Sequence, residues 1–277
     1  MASASYRQAD QDPDFLQHAG MRGMRLQADY SKAESILRNY RIERTIIVFG
    51  STRIPDPQVA RERVERLRRS SATRPDDVGL ARQLAVAERI HDKSRYYEVA
   101  RELGSLVGRA QHGIGRDRLA VMTGGGPGIM EAANRGAFDV GAHSVGLNIS
   151  LPHEQHPNPY VTPDLCFSFH YFALRKLHFL LRATALVACP GGYGTLDELF
   201  EALTLIQTRK IEPLPVVLIG RAFWERAFDV DFLVDEGVID AEDRDLFWFA
   251  ETAQEAWEGI LQWHINAGQP LLGGRVE

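Results

Sequence analysis

The run ALVACPGGYGTLDELF, residues 185–200, decides how the rest of the chain is read. Ala185 to Cys189 are apolar without polar alternation, the pattern of a strand buried on both faces of a parallel sheet. Pro190-Gly191-Gly192 breaks that strand, and helical spacing follows over about 196–208. The same order of strand, glycine turn and helix occurs upstream. Leu119 to Thr123 runs into Gly124-Gly125-Gly126-Pro127-Gly128 and a helix over about 128–140, and Thr45 to Phe49 stops at Gly50-Ser51-Thr52-Arg53. Further strands are predicted at 144–149, 165–168 and 215–219, with helices near 29–40, 94–112, 170–182, 221–235 and 252–266. Strands alternating with helices of this length predict an α/β chain with a Rossmann-like three-layer fold, a parallel sheet with helices on both faces.

The 277 residues suffice for one large domain. Residues 1–43 read as an N-terminal arm and helix, the first 28 or so polar and poorly ordered because Gly20 and Gly23 interrupt them. Residues 44–277 read as a single Rossmann-like domain carrying an Arg-rich, Pro-interrupted insertion at about 54–93, helical or mobile. Lys plus Arg number 32 against 37 Asp plus Glu, a net charge of −5, which argues against a nucleic-acid partner. No apolar run approaches the ~20 residues of a membrane span, so no membrane partner is expected. Two cysteines and no apolar leader segment place the chain in the cytoplasm as an expectation.

Three strand ends carry glycine or hydroxyl residues, and in such sheets ligands bind outside the carboxyl ends of the strands. Glycine lets the backbone approach a phosphate, and a following helix supplies free N–H groups and partial positive charge. Candidate phosphate or substrate contacts are therefore Gly50, Ser51, Gly124, Gly125, Gly126, Gly128, Gly191, Gly192, Tyr193, Gly194 and Thr195. The first cluster has Ile129 where the dinucleotide fingerprint needs glycine, and no phosphate loop ending in Gly-Lys-Ser/Thr occurs. A nucleoside monophosphate fits better than NAD or a magnesium-bound triphosphate.

Glu198 follows Thr195 by three residues, which is the spacing of a capping box. Its other reading is a carboxylate that faces a ribose and stabilises positive charge at the anomeric carbon. Glu131 carries the same ambiguity between helix-dipole complement and ribose ligand. Arg175 and Lys176 sit early on a helix, where cations oppose the dipole, so Arg175 reads as a phosphate or transition-state clamp. His153-Glu154-Gln155-His156 lacks zinc-helix spacing and reads as a loop lining the pocket; no metal site is expected.

Pro190 to Glu198, together with Gly124 to Glu131 and the Arg175-Lys176 pair, resembles the signature motifs of the LOG (Lonely Guy) family, the "lysine decarboxylase-like" proteins. The likeness covers roughly residues 44–220, and the segment Asn148 to Gln155 resembles the longer, bacterial-type variants. The resemblance implies hydrolysis of the N-glycosidic bond of a nucleoside 5′-monophosphate, AMP-like or a cytokinin riboside monophosphate, to free base and ribose 5-phosphate. By matching position it makes Arg175 and Glu198 the catalytic pair, seats the phosphate on Gly191, Gly192, Gly194 and Thr195, and implies a homodimer or higher homo-oligomer without cofactor. Two alternatives stand beside it: a non-catalytic nucleotide- or pterin-cofactor-binding protein on the same fold, and an interaction module built on residues 54–93.

Overall fold

Residues 3–111, 118–149 and 156–272 are described by the computed structural model. In chain order the elements are α1 (Pro13–Gln17), α2 (Arg22–Asn39), β1 (Ile42–Phe49), α3 (Pro57–Thr73), α4 (Val78–Lys93), α5 (Arg95–Gln111), β2 (Arg118–Thr123), α6 (Ile129–Asp139) and β3 (Ser144–Ile149). They continue with β4 (Cys166–Phe169), α7 (Phe172–Leu180), β5 (Ala183–Ala188), α8 (Tyr193–Gln207), β6 (Val216–Ile219), α9 (Arg221–Ala227), α10 (Val230–Asp235), β7 (Trp248–Ala250) and α11 (Ala253–Asn266).

Successive residues of the apolar strands serve opposite faces of the sheet. Ile46 and Val48 of β1 join Val121, Val187 and Ile219 in the core beneath α5, α6 and α11. Ile47 and Phe49 join Met122, Leu186 and Leu218 beneath α2, α7 and α8. Burial on both sides is why these strands show no polar alternation. The seven strands are all parallel in the order β4-β3-β2-β1-β5-β6-β7, so the three-layer α/β fold expected from the sequence is what forms. After β4 the chain crosses to the far side of β1 and lays down β5. The direction of strand addition therefore reverses between β1 and β5, which opens a crevice at their carboxyl ends.

Several local expectations are corrected. The N-terminal stretch expected to be irregular to about residue 28 instead folds into α1, short turns and the first part of α2, which starts at Arg22. Gly23 lies in the first turn of α2, where its N–H lacks an intrahelical partner anyway, and Ala33 and Leu37 are buried in the core. The insertion expected to be helical or mobile takes the helical form: α3 and α4 pack on each other and are capped by Asp56 and Asp77. The single helix expected at 221–235 is two helices, because Phe228 and Asp229 are extended and Asp229 caps α10. The short edge strand β7 had no sequence expectation; three residues give too little periodicity to read. Among the described residues no helix is long and apolar enough to cross a membrane.

Candidate active site

Three strand ends meet at the peptide of Ser51. Its N–H donates to the Pro190 carbonyl (3.0 Å) and its own carbonyl accepts from the Ile129 N–H (3.2 Å), so the turns after β1, β2 and β5 are tied together. Over them lies a cleft of about 590 Å³, lined among others by Gly50, Ser51, Gly192, Tyr193, Gly194, Thr195, Arg175 and Glu198. These eight sequence candidates converge on one space.

Helix α8 begins at Tyr193 with Gly192 as its N-cap, and no side chain caps it. The first intrahelical bond is Leu196 N–H to the Gly192 carbonyl (3.0 Å), so the N–H groups of Tyr193, Gly194 and Thr195 have no acceptor within the helix. An open helix N-terminus of this kind attracts an anion. The capping-box reading of Thr195 and Glu198 is corrected here. Thr195 is the third residue of α8 and Glu198 the sixth, so Glu198 is carried inward by one helical turn.

Glu198 is 6% exposed, and its Oε1 accepts from Nη2 of Arg175 at 3.4 Å. Burial pushes the carboxyl pKa from its ordinary 4.5 to about 7, against the pull of the Arg175 and Lys176 charges. Arg175 lies between aromatic rings, its guanidinium carbon 5.1 Å from the centre of Phe172 and 5.4 Å from that of Phe179. Burial lowers its pKa, opposed by Glu198 and Asp197, and its Nε is buried without a hydrogen-bond partner among the described residues. The contact of 3.4 Å is long for a charged pair, so both groups keep hydrogen-bonding capacity for a third party.

The remaining candidates lie elsewhere. Lys176 turns toward α8 and pairs with Asp197 (2.9 Å) and Glu201 (3.2 Å). Glu131 accepts from the Tyr97 hydroxyl at 3.0 Å, outside the cleft lining. Gly124 is buried beside Arg175, while the carbonyls of Gly125 and Gly126 are satisfied by the Asn158 side chain at 3.1 and 3.0 Å. Gly128 packs on the Ser51 carbonyl, and Gly191 faces a neighbouring cavity of about 580 Å³ lined also by Tyr96, Phe223 and Arg226. His153, Glu154 and Gln155 lie outside the described residues, and His156 is exposed at their edge.

The structure adds Phe172, Met130 and Arg53 to the cleft. Phe172 stands three residues before Arg175, a spacing that shares a helix face, which is the signal that could have found it. Arg53 is exposed, and among the described residues its guanidinium makes no ion pair. The cleft thus combines free helix N–H groups, an exposed cation at its rim, a buried cation in its wall and one buried carboxyl with a pKa near 7. That set suits a phosphorylated ligand with a centre that gains positive charge.

A family model described as "Possible lysine decarboxylase" matches residues 130–260. The chain is 29% identical over 167 residues to the cytokinin riboside 5′-monophosphate phosphoribohydrolase LOG3 of Arabidopsis thaliana, covering 59% of this chain and 73% of that protein. It is 32% identical over 167 residues to the phosphoribohydrolase LOG of Oryza sativa subsp. japonica, covering 59% of this chain and 65% of that one. A solved structure titled as a Moco carrier protein from Chlamydomonas reinhardtii superposes with a TM-score of 0.46 and 20% identity, over 81% of this chain and 99% of that chain.

Proposed function

Since this chain belongs to the LOG family, we propose that it hydrolyses the N-glycosidic bond of a nucleoside 5′-monophosphate, releasing the free base and ribose 5-phosphate. The observation that carries this reading is the pairing of Glu198 with Arg175, one helical turn inside the unoccupied N–H groups of α8. The 5′-phosphate rests on the Gly192–Thr195 turn, where backbone donors and the helix dipole favour an anion. Arg53 closes on the phosphate from the β1 side.

As the bond from the anomeric carbon to the base nitrogen breaks, its electron pair leaves with the base and positive charge grows on the sugar. The buried Glu198 carboxylate stabilises that charge more strongly than a solvated carboxylate does. Water then bonds through oxygen to the anomeric carbon, and its surplus proton passes to Glu198, whose pKa near 7 lets it accept and return a proton at neutral pH. The base departs with a proton drawn from solvent. Arg175, gripped between Phe172 and Phe179, keeps Glu198 aimed and lowers its pKa from what burial alone would give.

The exposed side chains of Leu177 on α7 and Leu181 at its C-cap border an apolar hollow shared with Leu205 and Leu214, which a second copy of the chain would cover, giving a homodimer. Sedimentation of wild type against Leu177→Asp checks this, the variant sedimenting as a monomer.

The function is tested by chromatography of free base after incubation with AMP, GMP, CMP and an N6-modified AMP, with Glu198→Gln alongside. Base released by wild type and lost in the variant is the expected result. Tight nucleotide binding without release from any of the four would replace the hydrolase with a nucleotide-binding protein.

A further inference from the structure

Helix α7 carries Arg175 but supplies no cap of its own: the side chain of its N-cap, Tyr171, makes no capping hydrogen bond to the helix, and no acidic residue stands in its first turn. The cap comes from α2, more than 140 residues away in sequence. Asp29 Oδ2 accepts the backbone N–H groups of His170 (2.8 Å) and Tyr171 (3.1 Å). The Tyr171 carbonyl in turn accepts the N–H of Arg175 at 3.3 Å. One peptide unit therefore separates the Asp29 carboxylate from the backbone of Arg175.

The rest of α2 reinforces the same hold. Arg25 donates through Nε to the Tyr171 hydroxyl (3.2 Å) and through Nη1 to the carbonyls of Leu16 (2.6 Å) and His18 (2.9 Å), tying the turns before α2 into the clamp. Beyond the other end of α7, Glu34 accepts from Arg182 at 2.7 Å, and Tyr30 packs on the ring of His178, with centroids 5.2 Å apart. Helix α7 is thus held at both ends by residues of α2. Electrostatics gives Asp29 a specific place in this. Arg175 and Lys176 sit in the first turns of α7, where the helix end is already positive, and a carboxylate at that end offsets the repulsion.

We propose that Asp29 is a positioning residue for Arg175: by capping α7 from the N-terminal helix, it sets the distance between the guanidinium and Glu198. This rests on the hydrolase reading for its effect on turnover. Its effect on the pair of side chains is independent of that reading. Without the cap, the first turn of α7 frays and Arg175 withdraws from a partner it already meets at a long 3.4 Å. Small misplacements of a catalytic group cost large factors in rate.

The experiment compares full-length Asp29→Ala, Asp29→Asn and, as an exposed α2 control, Gln27→Ala. It measures kcat and KM for AMP and titrates the Glu198 carboxyl by ¹³C NMR on glutamate-labelled protein, the signal assigned by its loss in Glu198→Gln. For Asp29→Ala the expected result is a kcat lowered about tenfold or more with KM changed less than threefold. The Glu198 midpoint moves upward, because Arg175 depresses it; Lys176 also depresses it, Asp197 and Glu201 raise it, and none of these three contacts Asp29. Asp29→Asn, which keeps an oxygen to accept the two N–H groups but loses the charge, is expected to fall between the two, about two- to threefold down in kcat. Gln27→Ala is expected to match wild type.

An unmoved Glu198 midpoint and an unchanged kcat in folded Asp29→Ala would overturn the proposal. So would a loss of thermal stability with both of those quantities unchanged. If Asp29→Ala does not fold, Asp29→Asn decides by the same two quantities. If the wild-type chain releases no base from AMP, GMP, CMP or the N6-modified AMP, the hydrolase reading fails by itself, and the Glu198 titration alone decides the role of Asp29.

Discussion

Two glycine-rich turns of this chain, residues 124–128 and 190–195, have nearly the same composition and opposite environments. In the first, Gly124, Gly125, Gly126 and Gly128 are all buried. Gly125 and Gly128 hold φ near +70°, a Cβ at Gly128 would strike the Ser51 carbonyl, and Asn158 occupies the carbonyls of Gly125 and Gly126. Even the N–H of Ile129, at the start of the following helix, is spent on Ser51. In the second, Gly192, Tyr193 and Gly194 are exposed, and a Cβ on Gly192 or Gly194 would meet nothing within 4 Å. The N–H groups of α8 are left without intrahelical acceptors. The first turn is a knuckle that locks three strand ends; the second is an open cradle. Glycine is needed in the knuckle for φ and close packing, whereas Gly192 and Gly194 leave the backbone of the cradle uncovered.

The division implies that substitutions in the two turns fall into separate classes. The largest effect is expected just inside the cradle. Glu198→Gln should lower kcat for nucleotide hydrolysis at least a hundredfold while the protein keeps its fold, measured by base release and circular dichroism. In the knuckle, Gly128→Ala should cost about 2–4 kcal/mol of stability, since the φ near +71° is strained for alanine and the added carbon meets backbone rather than a movable side chain. Denaturant unfolding measures it, and an alanine variant as stable as wild type would break the distinction.

A pH series sharpens the same contrast. Folding raises the Glu198 pKa from 4.5 to about 7, so the native state favours the protonated form. Its support is complete below the unfolded value and is lost as pH rises through about 7. The stability of Glu198→Gln relative to wild type should therefore improve between pH 5 and pH 8, by roughly 2–3 kcal/mol, whereas that of Gly128→Ala should stay constant. The smallest effect belongs to Gly194→Ala. Lying unhindered inside the first turn of α8, it should gain about 0.5–1 kcal/mol of stability from helix propensity and yet raise KM for AMP several-fold. A variant both more stable and equally active would show that no ligand approaches that backbone.

Much of this was legible from the sequence because it rests on local rules. Uninterrupted apolar runs such as Ile46 to Val48 and Leu186 to Ala188 specify strands buried on both faces, and alternation with helices of regular length specifies a parallel sheet. The glycine clusters and the Arg175–Glu198 candidates are visible because backbone approach and helix N-termini have recognisable residue types. What could not be read is which donors and cations were already taken. Lys176 and Arg175 are neighbours in sequence, yet one is neutralised by Asp197 and Glu201 while the other faces Glu198, because successive residues of a helix point about 100° apart. Glu131 and Glu198 follow similar turns, but a tyrosine 34 residues upstream claims the first.

The N-terminal helix shows the limit from the other side. Its first turns, up to about residue 28, read as a loose arm because of their glycines and polar residues, and its hold on α7 through Asp29 depends on a partner some 140 residues later. The sequence by itself determined the layers, the strand ends and the chemical types gathered there, since these follow from hydrophobic period and turn chemistry. Only the tertiary structure decided which groups remain free, which carboxyl is buried and which helix is capped from outside. Those outcomes depend on desolvation and on pairings across the sheet, and neither leaves a periodic trace along the chain.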